Sequence, residues 1–108
     1  MEIGTDIIEV ARIARAIQRR RFLERVFAEG ERARAEGMNE QRRAQYFAGL
    51  FAAKEAAIKA NGGGNVFEYE IGHEATGKPF IRGHGDLRVS ISHTKEYATA
   101  VVIKEERQ

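Results

Sequence analysis

The sequence predicts an α+β fold, and three observations carry that prediction. A short β-branched run opens the chain (Ile3, Ile7, Ile8), helical periodicity fills the middle from Asn39 to Gly62, and short apolar runs extend from Val66 to Ile103. One strand, then helices including one long helix, then an antiparallel meander is an α+β order.

Glu2 to Glu9 reads as a strand ending near the acidic pair Asp6 and Glu9. From Val10 the period changes. Val10, Ile13, Ile17 and then Phe22 or Leu23 recur at helical spacing with arginines between them, so a first amphipathic helix carries a basic face. Phe22, Leu23, Val26 and Phe27 extend or restart it, Gly30 and Gly37 interrupt the next segment, and Glu29 to Glu36 is a candidate short helix. Asn39 is a plausible N-cap for the longest helix, which runs through Tyr46, Phe47, Leu50, Phe51 and Ile58 to Gly62. Val66, Phe67, Tyr69 and Ile71 fit a strand, ATGKP supplies a turn, and Phe80 to Arg82 begin the return. Leu87, Val89, Ile91 and His93 share one face of a third strand, and Tyr97 to Ile103 forms the last.

A chain of 108 residues makes one domain, 1–108, able to bury about two-thirds of its unfolded surface. That is small for a deep private pocket, so a site between subunits is an option. The absence of cysteine removes disulfides and thiolate metal sites and fits a reducing compartment, with cytoplasm the default. No basic segment leading into an apolar run opens the chain and no apolar window reaches about 18 residues, so neither export nor membrane insertion is expected. Net charge is only +2, yet Arg12, Arg15, Arg19, Arg20, Arg21 and Arg25 crowd one segment against Glu24 alone. Such a face attracts something acidic, although a solvated surface is the commoner explanation.

The most informative stretch is Phe51 to Gly64, FAAKEAAIKANGGG. Glu55 and Lys59 are four residues apart and so lie one above the other, at roughly 80° and 120° from Phe47 on a helical wheel. The pair flanks the apolar stripe, and the small residues Ala48 and Ala52 on that flank leave room for another segment or a ligand. Taken alone, such a pair is usually a surface ion pair worth about 0.2 to 0.5 kcal/mol, and a glycine cluster is a helix stop. Lys54 points about 100° away from Glu55 and reads as a solvated neighbour, outside any catalytic set.

Three segments gain meaning together: GTDIIEV, FAAKEAAIKANGGG and SISHTKEYA. In this order, from Ile3 to Val102, they resemble holo-[acyl carrier protein] synthase, the small bacterial type of phosphopantetheinyl transferase. The resemblance implies transfer of the phosphopantetheine arm of coenzyme A to a serine of acyl carrier protein in support of fatty acid biosynthesis, with Mg2+ as the ion. By motif match Asp6 and Glu55 are the metal ligands, and Lys59 completes the catalytic set by contacting phosphate. Gly62 and Gly64 fall in a loop close to coenzyme A, while His93, Thr94 and Arg42 fall near its nucleotide phosphate. Arg12, Arg15 and Arg21 would dock the acidic carrier, and the family implies a homotrimer with sites between subunits. Magnesium chemistry agrees, because this ion commonly binds through one or two carboxylates plus substrate phosphate.

Departures from the family pattern stand at Leu50, where an arginine is common, at Asn61, and in the short segment from Lys78 to Val89. A compact loop containing Gly83 and Gly85 is expected there in place of a helix. Two rival readings are a small basic nucleic-acid-binding module and an inactive member of the same fold. The first lacks aromatic residues among Arg12 to Arg21 for base stacking, so no nucleic-acid partner is expected.

Overall fold

In chain order, the elements of the computed structural model are β1 (Glu2–Glu9), α1 (Val10–Ala16), α2 (Arg20–Val26), α3 (Glu29–Arg34), α4 (Glu40–Asn61), a 3-10 turn (Val66–Glu68), β2 (Ile71–His73), β3 (Pro79–Ile81), β4 (Leu87–His93) and β5 (Tyr97–Lys104). Residues 1–106 are described; the last two of the expected domain 1–108 lie outside the described residues. The four C-terminal strands divide between two sheets. β2 and β3 form a two-stranded hairpin, whereas β4 and β5 join β1 in a three-stranded sheet of order β1-β5-β4. All its pairings are antiparallel, from Glu2↔Lys104 to Glu9↔Tyr97 and from Leu87↔Lys104 to His93↔Ala98.

Strand periodicity sends Gly4, Asp6 and Ile8 of β1 to the same face as Ala98, Ala100 and Val102 of β5. α4 packs across that face. Gly4 permits the approach: a Cβ there would collide with the Ala56 carbonyl oxygen and lie 2.7 Å from the Ala60 amide nitrogen. At the other end of the helix a Cβ at Gly49 would lie 3.0 Å from the Ile91 methyl, so α4 seats on β4 there. Ala48, Ala52, Ala53, Ala56 and Ala57 are fully buried, so of the two occupants for which the small residues at Ala48 and Ala52 leave room, another protein segment is the one that covers them.

The basic segment restarts rather than continuing, since α1 and α2 are separate helices. Phe27 after α2 stacks on Phe47 of α4, ring centroids 4.6 Å apart. Asn39 caps α4 as predicted, its Oδ1 accepting the Arg42 amide at 2.8 Å, and Gly62 closes the helix in the left-handed region with φ 79°.

Two expectations are corrected. Val66 to Ile71 is not one strand, because the Asn65 side chain accepts the Phe67 amide at 3.0 Å while Glu68 accepts the Asn65 amide at 3.1 Å, a reciprocal cap that closes a helical turn. Lys54 is not solvated. Its side chain is 0% exposed, and its Nζ donates to Glu31 Oε1 at 2.9 Å and to the Tyr69 carbonyl at 2.8 Å. Glu31 also accepts the Ala28 amide through Oε1 and the Ile71 amide through Oε2, both at 2.8 Å, so one buried pair ties α3, α4 and the start of β2 together. Residues 82–86 form a short turn without a helix, with Gly83 at φ 79°. Among the described residues no helix is long and apolar enough to cross a membrane.

Candidate active site

The junction of β1 and α4 gathers the residues of highest chemical interest. Lys59, exposed in the last turn of α4, donates to the Thr5 carbonyl at 2.8 Å and lies 3.5 Å from Asp6 Oδ1. Asp6 projects from the helix-facing side of β1 with 20% of its side chain exposed, and its carbonyl accepts the Thr99 hydroxyl at 2.9 Å. Glu55 is half-buried one helical turn before Lys59, beside the Ala56 over which Gly4 packs. Lys59 thus reaches the strand that carries Asp6, and Glu55 lies one turn earlier along the same edge of the helix.

No group of three or more histidine, cysteine, aspartate or glutamate side chains forms a metal cage among the described residues. This donor set is wrong for a closed structural site and right for magnesium, which takes one or two carboxylates and fills its shell with water and phosphate oxygens. The neighbouring ammonium of Lys59 suits the same anionic ligand.

Gly62 and Gly64 differ in what surrounds them. Space is open on the Cβ side of Gly62, whereas at Gly64 (φ 97°) a Cβ would meet the Glu68 carboxylate and the Tyr69 hydroxyl, the latter at 2.9 Å. Gly64 is thus required by internal packing as well as by its backbone conformation.

Arg42 and His93 meet in a second place, a cleft of about 560 Å³ between the first half of α4 and the end of β4. Arg34, Tyr46, Leu50 and His73 line it too. Leu50 is buried in its wall, and Arg34, which no sequence pattern singled out, adds a second guanidinium to the lining. Thr94 lies just past this cleft, where its Oγ1 accepts the Glu96 and Tyr97 amides at 3.3 and 3.1 Å and shapes the β4–β5 turn. Arg42 and Glu55 are separated by about 20 Å along the axis of α4, at 1.5 Å per residue. The sequence-predicted residues therefore fall into two groups on one chain. Arg12 and Arg15 on α1 and Arg21 on α2 are exposed, and none of them lines the cleft.

Two groups in the cleft have displaced proton affinities. Burial raises the Tyr46 phenol far above its ordinary value, with Glu31 adding to the effect, so the hydroxyl stays a donor; it donates a hydrogen bond to the Glu31 carbonyl at 2.7 Å. Burial, and then Arg34, pushes the His73 imidazole below its usual 6.5. The unfolded chain therefore takes up a proton at His73 before the folded chain does, and stability falls as pH drops through and below 6.5. A melting series from about pH 7 to 5.5 should show a shallower decline for His73→Gln than for the parent, and equal slopes would remove His73 as a cause.

Comparison with known proteins gives the family. The family model of the 4′-phosphopantetheinyl transferase superfamily matches residues 2–102. Among similar curated proteins, the holo-[acyl-carrier-protein] synthase of Bacillus mycoides is 40% identical over 95% of this chain and 93% of its own. That of Oceanobacillus iheyensis is 39% identical over 98% and 97%. Among solved structures, the holo-(acyl-carrier-protein) synthase of Bacillus anthracis in complex with CoA (3′,5′-ADP) superposes with a TM-score of 0.86 at 38% identity, covering 97% of this chain and 96% of that one. The Helicobacter pylori enzyme in complex with coenzyme A gives 0.82 at 29% identity, with coverage of 95% and 99%. With these matches over nearly its full length, the chain belongs to the 4′-phosphopantetheinyl transferase superfamily, as an enzyme of the holo-[acyl-carrier-protein] synthase type.

Proposed function

We propose that this chain, as a single domain, transfers the 4′-phosphopantetheine arm of coenzyme A to a serine of apo acyl carrier protein, with magnesium, in the cytoplasm and in support of fatty acid biosynthesis. The observation that carries the reading is the meeting of Lys59 with β1 at Thr5 and Asp6, one turn from Glu55, in a fold shared with coenzyme A complexes. The serine oxygen attacks the phosphorus that bears the pantetheine arm. The bond from that phosphorus to the bridging oxygen breaks, adenosine 3′,5′-bisphosphate leaves, and the serine proton passes to a general base. Asp6 and Glu55 would hold the magnesium ion, which supplies charge neutralisation at the pyrophosphate. Lys59 adds a point charge on the same oxygens, Gly62 leaves space for the coenzyme, and Arg42 and His93 receive the nucleotide phosphate. Exposed Arg12, Arg15 and Arg21 attract the acidic carrier and make its binding weaken with salt.

The reading includes assembly into a homotrimer. The face of the sheet turned away from α4 carries Ile3, Ile7, Tyr97 and Val101, with Ile3 58% and Ile7 67% exposed. Copies of the chain are the occupant this fits, since the two groups of site residues are far apart along α4 and a neighbour can bring one to the other. Ile7→Asp should shift the mass in solution from three chains toward one; an unchanged mass would remove this face from the interface.

The decisive assay incubates the chain with apo carrier, coenzyme A and magnesium. A mass gain of about 340 Da on the carrier is expected for a single transferred arm. No gain, with intact carrier and coenzyme, would overturn the reading.

A further inference from the structure

Asn61 departs from the family pattern immediately before the glycines, and the structure gives it a partner. Its Nδ2 donates to the Tyr69 hydroxyl at 3.0 Å, and that hydroxyl donates to the Gly63 carbonyl at 2.6 Å. Tyr69 is fixed at its other end as well: its own carbonyl accepts Lys54 Nζ at 2.8 Å, the residue is 2% exposed, and its ring lies 5.1 Å from the His84 ring. Tyr69 therefore joins the last residue of α4 and the glycine turn through its phenol, and the buried Lys54–Glu31 pair through its carbonyl.

Peptide geometry sets the consequence for the turn. All described peptides are trans, so the N–H of Gly64 points opposite to the Gly63 carbonyl. Drawing that carbonyl toward the phenol keeps its partial negative charge away from an arriving phosphate and turns the Gly64 N–H, at an exposed residue, the other way. A turn of three glycines has the largest conformational freedom to lose, and without a clasp it would sample both peptide orientations.

We propose that Tyr69 and Asn61 are positioning residues that hold the Gly62–Gly64 turn in the orientation that accepts the anionic part of coenzyme A. This rests on the coenzyme site proposed above. Neither residue need touch the coenzyme.

Calorimetric titration of coenzyme A into the full chain, with magnesium present, tests the clasp in the parent, Tyr69→Phe, Asn61→Ala and the double variant. Each single change should weaken binding about tenfold, as expected for loss of a part-buried hydrogen bond that orders a ligand loop. The double should weaken it no more than about twofold further, because both singles break the same unit. In steady state KM for coenzyme A should rise while kcat and KM for the carrier hold, and without coenzyme the Gly63 and Gly64 amides should exchange faster. The clasp is overturned by Tyr69→Phe binding within about twofold of the parent, by additive losses in the double, or by equal rises in both KM values alongside a large drop in melting temperature. A parent that binds no coenzyme A overturns the coenzyme site and the clasp together.

Discussion

Lys54→Met should lower the melting temperature by about 15 °C or more, because removing one partner of a buried ion pair costs about 3–5 kcal/mol and each kcal/mol moves a domain of this size by several degrees. Methionine fills most of the volume and keeps helix propensity, so the loss isolates the charge. Glu31 would remain 1% exposed with only the Ala28 and Ile71 amides, and Tyr69 would lose the donor to its carbonyl. The Lys54 pKa is already lowered by burial, with Glu31 opposing the shift, so the ammonium depends on that carboxylate to stay charged. Adding Glu31→Gln to Lys54→Met should recover part of the stability by removing the stranded charge. Thermal unfolding monitored by circular dichroism decides the matter; a melt within about 3 °C of the parent would mean that the pair contributes little.

The sequence reading places Lys54 in solvent because it points about 100° away from Glu55 on the helix. Its partner Glu31 lies 23 residues earlier, and nothing local couples them. A usable signal was nonetheless present: Phe47, Leu50, Phe51, Ala57 and Ile58 all lie within about 60° of Lys54 on the wheel, so the lysine sits in the middle of the apolar stripe and not on a solvent face. Val66 to Tyr69 was misread because β-branched and aromatic content favoured a strand, while the Asn65 cap, a side-chain effect worth about 1 kcal/mol, decided the turn. Features set by local chemistry were legible, as at Asn39, Gly62 and the alternating β4. Pairing of β1 with β5 was not, since register across almost the whole chain leaves no short-range trace. The site divides in the same way. Glu55 and Lys59 share a face by spacing alone, whereas a single aspartate on a strand is ordinary, and Asp6 stood out only through the motif GTDIIEV.

Glu55→Gln should reduce transfer at least about a hundredfold, since loss of a direct metal ligand exceeds the 10–100-fold typical of groups that merely orient ligands. Glutamine matches glutamate in shape, and Glu55 makes no ion pair with Lys59, whose ammonium lies against Thr5 and Asp6. The melting temperature should therefore move by no more than a few degrees, which separates a chemical loss from a folding loss. Asp6→Asn should act in the same direction, and raising magnesium should recover more activity in either single variant than in the pair, because each keeps one carboxylate. Chelation of the parent should stop transfer, and added magnesium should restore it. Full turnover by Glu55→Gln at the magnesium level that saturates the parent would remove Glu55 from the metal site, and with it the argument that the β1–α4 junction is where the phosphate is held.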